Sequence, residues 1–231
     1  MNIKKTKIEP VQVNTLRDRA VTHIKNMIVS RDFEAGTKLT ENFLAKSLGI
    51  SRAPLREAIR ELIDARLLVS KPYKGLFVRS ASRKDLEEIY SLRTSLEKLA
   101  FELCWNKRTV EQLDILRSLN SDLVETIEQG VDAKKAINQE LELHSWCYKL
   151  SGHKLLIDSW ERLKPNLHFY FTCHQQAHNR KGPLPESHDE YLNLACGNDL
   201  PAMLLYLENH MRQGLETTMN NLEITGNELG A

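Results

Sequence analysis

Three arginines, Arg52, Arg56 and Arg60, recur every fourth residue in the stretch SRAPLREAIRELIDARLL. Residues four apart share one face of a helix. A helix with arginines near its N-terminus fits the DNA major groove in width and charge. Leu55, Ile59, Leu62 and Ile63 recur at helical spacing on another face and form an apolar stripe. The plain alternative is a surface helix with a solvated basic side, the usual fate of a charge run. Further along, Glu140 and His144 also stand one turn apart, so both side chains point the same way. His174 and His178 repeat that spacing, and for them partly exposed surface histidines are the favoured reading. The cysteines Cys104, Cys147, Cys173 and Cys196 are far apart and never form C-x-x-C. That speaks against a zinc ribbon or a disulfide framework and fits reduced thiols.

The elements that must position the arginines follow from the neighbouring residues. Ser51 can cap the helix through its hydroxyl, and Pro54 sits in the first turn, where a missing N–H costs little. Thr40 to Leu48 is a short helix pattern with Thr40 as its cap and Phe43, Leu44 and Leu48 inward. Gly49 and Ile50 form the turn between the two helices. Helix, glycine-containing turn and basic helix together make a helix-turn-helix. Thr15 to Ser30 is an amphipathic supporting helix with Leu16, Ala20, Ile24, Met27 and Ile28 inward. Arg31 to Lys38 reads as a loop, and Leu39 as tucking under the following helix. After the basic helix, Leu67 to Ser70 and Leu76 to Arg79 read as two short strands around the tip Lys71-Pro72-Tyr73-Lys74-Gly75. The lysines and glycine of that tip can approach a phosphate or enter a minor groove.

The chain of 231 residues is near neutral, but its charge is segregated. Residues 1–80 hold 16 Lys and Arg against 8 Asp and Glu, whereas residues 81–231 hold 16 against 23. A basic first third on an acidic remainder suits a DNA-binding head on a sensor body. No apolar run approaches the length of a membrane span, and MNIKKTKIEPVQVN reads as a flexible basic arm without an apolar signal core. These features predict a cytoplasmic protein with no membrane partner.

Beyond residue 80 the pattern is helical throughout. Ser82 with Asp85 three residues on is a capping-box start. Helices are expected at roughly Ser82–Trp105, Thr109–Gly130, Asp132–Leu150, His153–His178, Pro185–Cys196 and Asp199–Leu222. The expected fold is therefore mainly α: an N-terminal winged helix-turn-helix of three helices and a small β wing at 1–80, then an all-α antiparallel helical bundle at 81–231.

The run GISRAPLREAIRELIDARLL followed by KGLFV resembles the winged helix-turn-helix of the GntR superfamily of bacterial transcription regulators. Ala53 stands where that family usually has Thr, which removes one hydroxyl contact. The segments DLEEIYSLRTSLEKLA, ELELHSWCYKLSGHKLL and SHDEYLNLACGNDLPAMLLYLENHM resemble the FCD effector domain of the FadR-type subgroup. The resemblance implies DNA contacts from Ser51, Arg52, Arg56 and Gly75; Arg60, one turn further along, is expected to touch only a phosphate, and Lys74 is the wing-tip lysine expected to approach one. Asn42 falls where some relatives carry another contacting arginine. It also implies one divalent metal, Zn, Ni, Mn or Fe, held by Glu140, His144, His188 and His210; spacing alone does not join these four. Glu140 departs from the usual Asp, and His153 from a frequent Asn. Arg93 matches a position that often faces the effector cavity and can anchor a carboxylate, while a helix-surface ion pair with Glu97 is its plain alternative.

The expectation is a homodimeric regulator of double-stranded operator DNA, most simply a repressor, modulated by a small carboxylate-type effector bound with the metal. The rivals are a metal-responsive regulator without an organic ligand and a metal-dependent enzyme in the helical domain. No general base separate from the proposed ligands is evident, so no enzymatic activity is expected.

Overall fold

The computed structural model describes residues 15–30, 32–80, 82–130, 133–177 and 185–222, with side chains at 173–174, 176–177, 185–187 and 220–222 excepted. The basic arm at 1–14, the His174 and His178 side chains and the break at 180–183 fall outside that description.

The head begins with α1 (Leu16–Val29), whose cap Thr15 forms a reciprocal capping box with Asp18. Ala20, Ile24 and Ile28 are buried along α1 as its periodicity requires, but Leu16 is 51% exposed. As the first helical residue it has no preceding turn to pack beneath. Next come β1 (Lys38–Leu39) and α2 (Glu41–Leu48), which starts at Thr40, whose hydroxyl accepts from the Phe43 N–H, and ends at Gly49 in the left-handed conformation. Only Leu44 of α2 is fully buried; Phe43 is 52% exposed and meets Phe33 edge-on instead of pointing inward. The basic stretch is α3 (Arg52–Asp64), which buries Leu55, Ala58, Ile59 and Leu62. Ser51 occupies its N-cap position, yet its hydroxyl makes no capping bond.

The wing has three strands. β2 (Leu68–Lys71) and β3 (Gly75–Val78) form the expected hairpin, and β1 adds to the free edge of β3 in antiparallel register, Lys38 opposite Phe77 and Leu39 opposite Leu76. Leu39 is buried, and its backbone pairs with Leu76 of β3. Two residues are too short to display an alternating pattern, so this strand becomes visible only through its partner.

The body consists, among the described residues, of α4 (Arg83–Cys104), a 3-10 turn at Trp105–Lys107, α5 (Val110–Gln129), α6 (Ala133–Ser151), α7 (Lys154–Ala177), α8 (Pro185–Cys196) and α9 (Leu200–Leu222). Each start has a local cause. Ser82 and Asp85 close a capping box on α4, Thr109 caps α5, and Asp199 accepts from the Ala202 N–H at the head of α9. At α7 the His153 ring nitrogen accepts from the Leu156 N–H, so this histidine caps a helix. α4 runs through the middle of the bundle, packed by α6, α7 and α9, while α5 joins α6 to α8. Phe101, Leu116, Leu143, Tyr148, Trp160, Tyr191 and Leu207 are buried in the core. No helix among the described residues is long and apolar enough to cross a membrane.

Head and body meet at two places that bear on the site. Arg79, beside the wing, pairs with Asp85 in the first turn of α4. From α7, the Asn166 amide donates to the carbonyl of Ala65 at 3.1 Å. Ala65 is the C-cap of α3, so a side chain of the body holds the end of the arginine-bearing helix.

Candidate DNA-reading face and three-histidine cluster

Ser51, Arg52, Arg56 and Arg60 are exposed on α3, and Lys74 and Gly75 are exposed at the wing tip. The fold therefore brings them to the surface of one small domain. Two of the arginines are already oriented by α2. The Arg52 guanidinium donates to Asn42 Oδ1 at 3.0 Å, and Arg56 Nε faces both oxygens of Glu41, at 2.9 and 3.2 Å. These pairings cross from one helix to another and leave no periodic trace in the sequence. Asn42 and Glu41 thus act on the arginines, whatever they do toward a duplex.

The wing presents more than the hairpin lysines. Lys38 on β1 and Lys71 on β2 flank the Phe77 ring, at 6.0 and 5.3 Å from its centre. Gly75 has φ +109°, and a Cβ there would lie 3.3 Å from Lys38 Cε. The positive φ favours glycine here, while the Lys38 side chain is flexible enough to give way. Tyr73 projects fully into solvent at the tip with a positive φ of 61°. Its exposed ring and Lys38 extend the basic surface beyond what was read from the chain.

Inside the body, α6, α8 and α9 bring His144, His188 and His210 together. Their candidate ligand nitrogens all lie within 4.8 Å of one another, and the ring centres are 5.7, 5.7 and 5.8 Å apart. Glu140 flanks this triangle: its Oε1 is 3.9 Å from His188 Nε2. His153 is on the surface at the start of α7, engaged in capping and not in this cluster.

The buried chemistry around the histidines is distinctive. His144 Nδ1 is 2.6 Å from Glu97 Oε1, and its Nε2 is buried with no hydrogen-bond partner among the described residues. His210 Nδ1 lies 3.4 Å from the Tyr206 hydroxyl. Burial, reinforced by neighbouring positive groups, holds His144 and His210 well below the ordinary histidine pKa, so both rings are neutral near pH 7. Neutral imidazole is the ligating form. Burial raises the Glu140 carboxyl to about 7, opposed by Arg93 and assisted by Glu97. A buried nitrogen with no hydrogen-bond partner among the described residues, where three imidazoles converge, fits a borderline divalent metal such as Zn, Ni, Mn or Fe.

Arg93 and Glu97 are not a surface pair: their side chains are 2% and 0% exposed. Arg93 Nε faces Glu97 at 3.4 Å, while its Nη2 is buried with no hydrogen-bond partner among the described residues. The guanidinium stands 5.9 Å from the Trp160 ring centre and 5.5 Å from that of Phe171. Both rings belong to α7, the helix whose Asn166 reaches the end of α3. Glu97 was missed as a member of the site; its only sequence signal was the one-turn spacing from Arg93.

Comparison with known proteins identifies both parts of the chain. Residues 16–78 match the family described as bacterial regulatory proteins, gntR family, and residues 88–213 match the FCD domain. The HTH-type regulator YdhC of Bacillus subtilis is 33% identical over 146 residues, spanning 63% of this chain and 65% of that relative, just under two thirds of its length. The gluconate operon transcriptional repressor of Bacillus licheniformis is 24% identical over 79% of this chain and 72% of its own. The solved structure of E. coli McbR/YncC superposes with a TM-score of 0.73 over 90% of this chain and 99% of that one, at 22% identity, and so shares the fold. A winged helix-turn-helix with exposed arginines, joined to a helical bundle that matches the FCD domain over more than half the chain, places this protein in the GntR family of DNA-binding transcription regulators.

Proposed function

We propose that this protein is a cytoplasmic repressor that binds operator DNA as a homodimer, and that a divalent metal and a small carboxylate effector in the body set its affinity. Two heads would read two half-sites one duplex turn apart. Ser51, Arg52, Arg56, Arg60, Lys74 and Gly75 form the contacting set, with Arg56 the principal base reader. The repressor assignment draws support from the gluconate operon repressor among the relatives.

The observation that carries the effector reading is the pair of unsatisfied buried donors and acceptors, His144 Nε2 and Arg93 Nη2. His144, His188 and His210, with Glu140 as a fourth ligand, would hold the metal, which supplies a Lewis-acidic anchor for an anionic group. Arg93 would take the carboxylate through its planar fork. The flat rings of Trp160 and Phe171 sense the position of that guanidinium, and α7 carries both rings and Asn166. A ligand that prefers one placement of Arg93 thereby biases one placement of α3.

The test is fluorescence anisotropy on promoter fragments with metal-free protein, first titrated with zinc, nickel or manganese, then with a panel of small organic acids. The expected result is metal uptake followed by a change in operator affinity of at least fivefold on adding one acid class. Response to metal alone would assign a metal sensor. Absence of both metal uptake and any acid effect would overturn the effector reading.

A further inference from the structure

We infer that Glu97 is a positioning residue: it fixes the tautomer and ring orientation of His144, and so decides which nitrogen that ring offers to a cation. The inference rests on the metal reading above. Glu97 is wholly buried on α4, and its Oε1 sits 2.6 Å from His144 Nδ1 on α6. The Tyr191 hydroxyl donates to the same oxygen at 3.4 Å, and Arg93 Nε donates to the other at 3.4 Å. Glu97 is thus gripped from α4, α6 and α8, and its position is over-determined.

The proton inventory then follows. Arg93 keeps its charge, since a guanidinium does not lose its proton in a protein. Burial pushes the Glu97 carboxyl up and the Arg93 guanidinium opposes it; a buried guanidinium demands an anion, and the Glu97 carboxylate is the partner in reach. An ionised carboxylate only accepts, so the short contact requires the proton on His144 Nδ1. A neutral ring carries one proton, which leaves the lone pair on Nε2. That atom is buried, lacks a hydrogen-bond partner among the described residues, and belongs to the ring that converges with His188 and His210. A carboxylate behind a ligating imidazole also raises its basicity, and loss of such a partner typically weakens metal binding about 10- to 100-fold.

Two measurements test this. Long-range proton–nitrogen NMR of metal-free protein, with His144 assigned by its loss in His144→Gln, reads the tautomer directly and needs no altered Glu97. The expected pattern is a protonated Nδ1 and a bare Nε2. Zinc affinity by competition with a chromogenic chelator should fall about 10- to 100-fold in Glu97→Ala, and less in Glu97→Gln, which keeps an acceptor but loses the charge. A protonated Nε2 in the parent protein overturns the inference. So does a Glu97→Ala variant that folds by circular dichroism and retains parental zinc affinity. A bare Nε2 in a protein that takes up no zinc supports the inference while overturning the metal reading.

Discussion

Replacing Arg56 by Ala separates DNA reading from folding, because the side chain is 57% exposed and its only described pairing is with Glu41, itself 40% exposed. An exposed pair of this kind contributes about 0–1 kcal/mol, so the head should lose no more than a few degrees of melting temperature. Lost base recognition is far larger. A bidentate Arg–guanine contact discriminates by about 1–3 kcal/mol, and a dimer has two such arginines. The combined cost is about 2–6 kcal/mol, or roughly 30-fold to 10⁴-fold in operator affinity. Salt separates base from backbone contact. If Arg56 neutralised phosphates instead, the slope of log affinity against log salt would fall by about 2 for the dimer. Anisotropy titrations on operator and on random DNA at several salt concentrations read both quantities. The expected outcome is a large loss confined to operator with a nearly unchanged slope. A change of less than threefold, in a variant that melts normally, would remove Arg56 from the reading set.

Glu140→Gln tests the buried carboxyl by pH. The folded pKa of about 7 stands above the ordinary 4.5, so the folded state holds a proton that the unfolded chain has released. In metal-free protein the resulting penalty is absent below about pH 4.5 and grows as pH rises to about 7, reaching about 3 kcal/mol. The Gln variant should therefore melt higher than the parent at pH 7.5 and match it near pH 4.5; equal melting at both pH values would refute the assignment. Leu62→Ala, at a fully buried position of α3, should cost about 2–5 kcal/mol in denaturant unfolding of the head, and a loss under 1 kcal/mol would contradict the packing. Asn166→Ala removes the bond to the end of α3 and should cost only about 1 kcal/mol of stability. Its larger expected effect is to diminish the effector-induced change in operator affinity, and full retention of that change would exclude α7 as the coupling route.

Helix phase and helix ends were legible in the chain because their causes are local. Thr15, Thr40, Ser82, Thr109 and Asp199 each bond to a backbone group three residues ahead. Leu55, Ile59 and Leu62 disclosed the inner face of α3 through spacing alone. The winged helix-turn-helix resemblance followed largely from one contiguous motif, and the basic head from the charge balance of residues 1–80. Ser51 and Phe43 show the limit even of local rules: one occupies a cap position without capping, and the other lies half-exposed against Phe33.

The rest depended on contacts between elements distant in the chain. β1 exists because β3 offers it an edge. Arg52 and Arg56 are aimed by residues of the preceding helix. His144, His188 and His210 sit on three helices, and only the packing of α6, α8 and α9 brings their rings within reach of each other. Glu97 looked like half of a surface ion pair until the bundle closed over it and set it against His144. Hydrogen-bonded caps and helical periodicity act over three or four residues and can be read from sequence. Burial changes a carboxylate from a solvated charge into the partner of a specific imidazole nitrogen, and burial is a property of the folded assembly of helices.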